Sequence, residues 1–196
     1  MKETLIACAL LCLPTYASAA TYFFDPPMVG VGTDSRFIVT LKLDPDDEFI
    51  NAIEGALVYP GSLLKIISID QKDSVVSNWI VEPTPKRGEI HFSGVIPGGF
   101  DGVRKPLEKE RLAGTIFSIT FESRRSGNGA VTLDEITSLL NDGQGSQVES
   151  NVIPLALNIE VVDTSSYRDY LTVFIAVVIL IIALILRKRH TNELAK

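Results

Sequence analysis

A catalytic reading of this chain has to begin with its histidines, and there are only two. The sequence holds His91 and His190, two cysteines (Cys8 and Cys12), and 24 acidic side chains against 18 basic ones. A nucleophilic triad needs a histidine to take the proton, and a zinc-type centre needs several nitrogen or sulfur ligands. His190 lies in a basic tail, so His91 stands alone and neither constellation can be built. In Glu89-Ile90-His91-Phe92-Ser93, alternation puts His91 on the strand face opposite Ile90 and Phe92, where it reads as a surface residue of a sheet. Carboxylates are numerous enough for a general acid–base pair, which keeps a sandwich-fold hydrolase as a third reading, but nothing in their spacing singles out two. Asp44, Asp46, Asp47 and Glu48 offer hard oxygen ligands for calcium. Their run lacks the glycine and the distal glutamate of a calcium loop, so it reads as a solvated turn, as does Asn141-Asp142-Gly143. No cofactor is expected, with calcium the one ion left open. Pro97-Gly98-Gly99-Phe100-Asp101-Gly102 is followed by no helix start and reads as a flexible loop between strands, not a phosphate cradle. The single tryptophan, Trp79, reads either as a core plug or as an exposed contact for a ligand such as a sugar ring.

The elements around these residues are strands. Arg36 to Leu43 alternates, with Phe37, Val39, Leu41 and Leu43 on one face, until Asp44-Pro45-Asp46-Asp47 breaks it. Ile50 to Tyr59 follows, with Ile53, Leu57 and Tyr59 to one side and Glu54 to the other. Leu63 to Ile69 is apolar on both faces, which predicts a central strand. Glu89 to Gly94 reads as a short strand, Gly114 to Glu122 as an alternating one, and Ser126-Gly127-Asn128-Gly129 as a hairpin turn leading to Ala130 to Leu133. Ser138 to Leu140 adds a short piece, and Leu155 to Val162 closes the domain. No segment before Tyr167 has a helical period. About eight or nine short strands with frequent turns predict an antiparallel sandwich or jelly roll.

The two ends read differently from the middle. Lys2, the apolar run Leu5 to Leu13 and the small residues Ala17-Ser18-Ala19-Ala20 predict a signal peptide over 1–19, cleaved after Ala19. Both cysteines fall inside it, so the mature chain is expected to hold neither disulfide nor thiol site. Near the other end, Tyr170 to Leu186 carries no charge and is followed at once by Arg187-Lys188-Arg189-His190. That pattern predicts one transmembrane helix over 170–186, with a cytoplasmic tail over 187–196 and an extracytoplasmic domain over 21–163. Tyr167 and Tyr170 suit the interface, and 164–169 forms a short stalk. From Thr21 to Asp163 there are 21 acidic and 12 basic residues, a net charge of −9. This balance argues against nucleic acid or anionic lipid as partner.

The stretch Gly55-Ala56-Leu57-Val58-Tyr59-Pro60-Gly61-Ser62-Leu63-Leu64-Lys65-Ile66-Ile67-Ser68-Ile69 resembles the strand–turn–strand of a cohesin domain, within the superfamily that includes family 2 and 3 carbohydrate-binding modules. Ile90 to Gly94 leading into Pro97 to Gly102, then Leu112 to Phe121, then Leu140 to Gly145, follow in the order of that family. The resemblance covers Thr21 to Val162. It implies a nine-stranded jelly-roll sandwich, no catalysis, and recognition of a dockerin-like protein across an exposed sheet face. In that family an Asn and an Asp two apart on one strand often contact the dockerin; aligned on Tyr59, those positions are Ala52 and Glu54, so the acid is kept and the amide is not. The expected partner face carries Ala52, Glu54, Ala56 and Val58 beside His91 and Ser93. The alternative is a polysaccharide-binding module at the cell surface, serving polysaccharide breakdown.

Overall fold

The computed structural model describes residues 19–104, 110–161, 174–175 and 177–178. Its first unit runs to Glu160 and is built of strands: β1 (Ala19–Asp25), β2 (Met28–Gly32), β3 (Arg36–Asp44), β4 (Ile50–Val58), β5 (Leu64–Asp70), β6 (Asn78–Lys86), β7 (Glu89–Phe100), β8 (Val103–Arg104), β9 (Arg111–Leu112), β10 (Gly114–Ser123), β11 (Gly127–Leu140), β12 (Gln147–Ile153) and β13 (Leu155–Glu160). The predicted signal peptide lies outside the described residues except for Ala19, which already belongs to β1. The stalk and tail also lie outside them. So does the predicted membrane helix, save residues 174–175 and 177–178, which are helical and exposed. No helix among the described residues is long and apolar enough to cross a membrane.

Hydrogen bonding joins eleven strands in the path β5-β10-β3-β1-β12-β11-β4-β7-β6, with β13 and β2 branching from β11; β8 and β9 form a separate ribbon. The path folds over on itself around one core. Alternation explains why. In β10, Ile119 and Phe121 point inward beside Ile116 and Phe117, and in β3 Val39, Leu41 and Leu43 do the same; all are fully buried. Phe117 of β10 meets Phe92 of β7 edge-on at 5.2 Å between ring centres, which ties one half of the path to the other. The all-β sandwich expected from the sequence is present. It has more strands than the nine expected, and two of its pairings, β1 with β12 and β13 with β2, are parallel.

Several local expectations change. β5 ends the path as an edge strand and is not central; a bulge opposite Thr120 and Phe121 rotates Ile67 outward, to 38% exposure. The Ser126–Gly129 turn closes no hairpin. β10 pairs with β3 and β5, whereas β11 pairs with β13, β4 and β12, so this turn carries the chain between sheets. Ala130–Leu133 and Ser138–Leu140 are parts of one 14-residue strand. Pro97 to Phe100 is not a loop but the end of β7, fixed by burial of Phe100.

Buried serines hold the frame where apolar side chains cannot. Tyr22 on β1 is fully buried, and its hydroxyl lies 2.6 Å from Ser138 Oγ, which lies 3.0 Å from Ser150 Oγ on β12. Burial raises the Tyr22 pKa, opposed in part by the Ser138 hydrogen bond, so the phenol stays neutral and serves as a hydrogen-bonding strut. Ser123, at the end of β10, accepts from Ser35 N at 3.0 Å and donates to Gly32 O at 2.7 Å, which pins the β2–β3 turn.

Candidate functional site

Register decides which side chains share the outer face of the β11-β4-β7-β6 sheet. Glu54 lies between Thr137 on β11 and Ser93 on β7; Ala56 lies between Glu135 and His91; Ala52 is opposite Val95, and Val58 is opposite Glu89. The six residues expected from the sequence, Ala52, Glu54, Ala56, Val58, His91 and Ser93, thus share one face. Glu54 and His91 are exposed; Ala52, Val58 and Ser93 are half-buried. Ala56 departs from the expectation of an open contact: at 7% exposure it forms the floor. Around it lies a shallow depression of about 290 Å³, lined by Glu54, Ala56, Val81, His91, Ser93 and Glu135 among others.

Gly55 sets how closely the strands pack beneath that floor. A methyl group there would come within 2.8 Å of the Phe92 ring and 2.9 Å of the Glu135 carbonyl, so only glycine fits. A bulge in β11 between Leu133 and Glu135 turns Glu135 onto the outer face beside Ala56. At the rim, β6 is an edge strand with irregular register, and its Ile80 and Val81 are 71% and 44% exposed. Sequence reasoning missed β6 because Pro83 and Pro85 interrupt it; an edge strand can tolerate them.

The face is acidic, with Glu54, Glu82, Glu89, Asp134 and Glu135 exposed. Glu89 Oε2 sits 3.0 Å from His91 Nε2, so His91 already has a surface partner. Among the described residues no group of three or more His, Cys, Asp or Glu side chains is placed to hold a metal ion. The Asp44–Asp47 run is a turn, with Glu48 N bonded to Pro45 O at 3.0 Å. Asp142 also makes the expected turn: its Oδ1 accepts from Gln144 N at 2.8 Å and Gly145 N at 3.0 Å. Hydrogen bonds from Ser146 and these backbone groups hold its carboxyl below the usual carboxylate range. Trp79 is half-buried and packs against the core, 6.4 Å from Phe117 between ring centres.

No family model and no curated protein matches the chain. Solved structures do. The chain is similar to a non-cellulosomal cohesin from the hyperthermophilic archaeon Archaeoglobus fulgidus, at 17% identity and a TM-score of 0.55, covering 76% of this chain and 97% of that one. It is similar to a type I cohesin solved with its dockerin from Clostridium thermocellum, at 18% identity and 0.53, covering 72% and 99%. It is also similar to the sixth cohesin of Acetivibrio cellulolyticus scaffoldin B, solved with a Cel5 dockerin, at 15% identity and 0.55, covering 74% and 99%. The strands from Ala19 to Glu160 therefore have a cohesin-like fold.

Proposed function

We propose that this chain is a non-catalytic binding module that recognises a protein partner across the outer face of the β11-β4-β7-β6 sheet, and that a C-terminal helix holds it at the cell surface. The observation that carries the reading is the make-up of that face: a floor of Ala52, Ala56 and Ser93, carboxylates at Glu54 and Glu135, and an apolar rim at Ile80 and Val81. Small residues leave the sheet flat enough for a docked helix. The rim supplies apolar contact, and the carboxylates select a partner that presents lysine or arginine. Two of the cohesins named above were solved with dockerins, which makes a dockerin-like module the first partner to test.

The packing of half-buried Trp79 against Phe117 counts against the polysaccharide reading, since a flat sugar-binding face needs exposed rings to stack on. The two readings are separated by presenting the full chain in detergent to a panel of dockerin modules and to a glycan array. Micromolar or tighter binding to a dockerin with no glycan bound supports the protein reading. Glycan binding with no dockerin bound overturns it.

A further inference from the structure

The net charge of the domain argues against an anionic surface as partner, but the charge is not evenly spread. At the end where the chain leaves the sandwich, Thr33 N bonds to Glu160 O, Asp34 N to Ser123 O, and Arg124 N to Leu63 O. The β2–β3, β4–β5 and β10–β11 turns therefore gather around the last strand. The β6–β7 hairpin joins them through Tyr59 N to Gly88 O at 3.1 Å. Among the described residues this end carries six exposed cations, Arg36, Lys65, Lys86, Arg87, Arg124 and Arg125, against four carboxylates, Asp34, Glu89, Glu122 and Glu160; the segment that follows adds Asp163, Arg168 and Asp169 to the sequence.

Glu122 is engaged by Arg36 at 2.9 Å, and Glu89 lies 3.0 Å from His91. Lys65 and Arg124 also face the Glu122 carboxylate and help hold it below the usual carboxylate range, while among the described residues no ion pair holds Lys86, Arg87 or Arg125. The opposite end is acidic. Asp44, Asp46, Asp47, Asp101 and Glu110 line one depression with Arg111, and the Asp142 turn adjoins through Asn141 Nδ2 to Gly98 O.

We propose that this basic end docks on the headgroups of an anionic bilayer, standing the module upright with its acidic end outward and the β11-β4-β7-β6 face to the side. The proposal rests on the anchoring half of the function proposed above. Eight residues, 162–169, separate Val161 from the apolar run that starts at Tyr170. They reach at most roughly 30 Å when extended, and the sandwich hands the chain to them at its basic end. Distance settles the sign of the force. The ten residues of β10 span roughly 33 Å from one end of the sandwich to the other. The screening length at physiological salt is about 8 Å. Lipid phosphates beside the basic end therefore feel its cations, while the carboxylates at the far end are screened out.

The test uses the full chain with Cys8 and Cys12 replaced by serine, inserted into phosphatidylcholine vesicles with or without phosphatidylglycerol. A donor dye is placed on Ser62→Cys at the basic end or on Gln144→Cys at the acidic end, with an acceptor on the lipid headgroups. The expected result is stronger transfer from position 62 when phosphatidylglycerol is present, lost in high salt, with position 144 remaining dim. Arg87→Glu and Arg124→Glu, each checked for unchanged melting, lower the ratio of docked to undocked module by roughly fivefold or more apiece. Equal transfer in both lipids, or stronger transfer from position 144, with the chain floating with the vesicles, overturns the docking alone. A chain that floats with neither vesicle overturns the anchoring as well.

Discussion

Replacing Ser123 with alanine tests whether a single hydroxyl holds the corner where the last strand leaves the sandwich. Ser123 is fully buried, and its Oγ accepts from Ser35 N at 3.0 Å and donates to Gly32 O at 2.7 Å, with Ser35 O as a longer alternative at 3.2 Å. Alanine keeps the volume within one oxygen atom and removes both bonds. Two hydrogen bonds at roughly 1 kcal/mol each give a loss near 2 kcal/mol. The value approaches 3 kcal/mol if the Ser35 amide finds no other acceptor. For a domain of this size that lowers Tm by roughly 4–8 °C. Urea unfolding followed by tryptophan fluorescence measures it: the midpoint should fall with the slope unchanged, because the surface exposed on unfolding is the same. A loss under about 0.5 kcal/mol would refute the reasoning, since it would mean that water or a shifted turn replaces both partners.

Three further outcomes follow from the same fold. Tyr22→Phe removes the hydroxyl that meets Ser138 and costs about 1 kcal/mol in urea unfolding, less than Tyr22→Ala, which also opens a cavity at roughly 3–5 kcal/mol. Arg87 sits at φ 54° ahead of Gly88 at φ 90° in the β6–β7 turn, a left-handed pair that asparagine–glycine fits better. Arg87→Asn should therefore raise stability by about 0.5–1 kcal/mol in thermal melts. Hydrogen bonds to Arg104, Arg36 and Ser146 respectively lead the causes that hold Asp101, Glu122 and Asp142 below the usual carboxylate range. A carboxylate whose pKa is lower folded than unfolded contributes stability above the unfolded pKa, near 4, and loses it as pH falls through the folded value. Stability should thus fall with acidification below about pH 4, and Asp142→Asn should flatten that fall in a pH series of melts.

The strands that could be read from the sequence are those whose alternation is not interrupted. β3, β10 and β13 put apolar residues at every second position and were placed within a residue or two. β12 is Gln147-Val148-Glu149-Ser150-Asn151-Val152-Ile153, too polar to stand out, because its side chains alternate between exposed and half-buried and its place is set by backbone pairing with β1 and β11. β1 hid behind the apolar segment before it. β5 misled because its bulge breaks the link between an apolar run and burial on both faces. The partner face was legible in outline, since alternation fixes which of Ala52 to Val58 point together. Its rim at Ile80 and Val81 was not, because the two prolines of β6 suppress the strand pattern. Nor does sequence flag Ser123 and Ser138, the two buried polar residues among those described, as structural.

The central claim is that the β11-β4-β7-β6 face is where a protein binds. The most direct measurement titrates one dockerin that the full chain binds against the chain, its Glu54→Arg variant, and a Thr120→Arg control on the outer face of β10, all with matched melting curves. The account predicts at least roughly tenfold weaker binding for Glu54→Arg, because a like charge facing the partner's cations is costly, and no change for the control. Equal binding by all three, or weakening in Thr120→Arg alone, would contradict it.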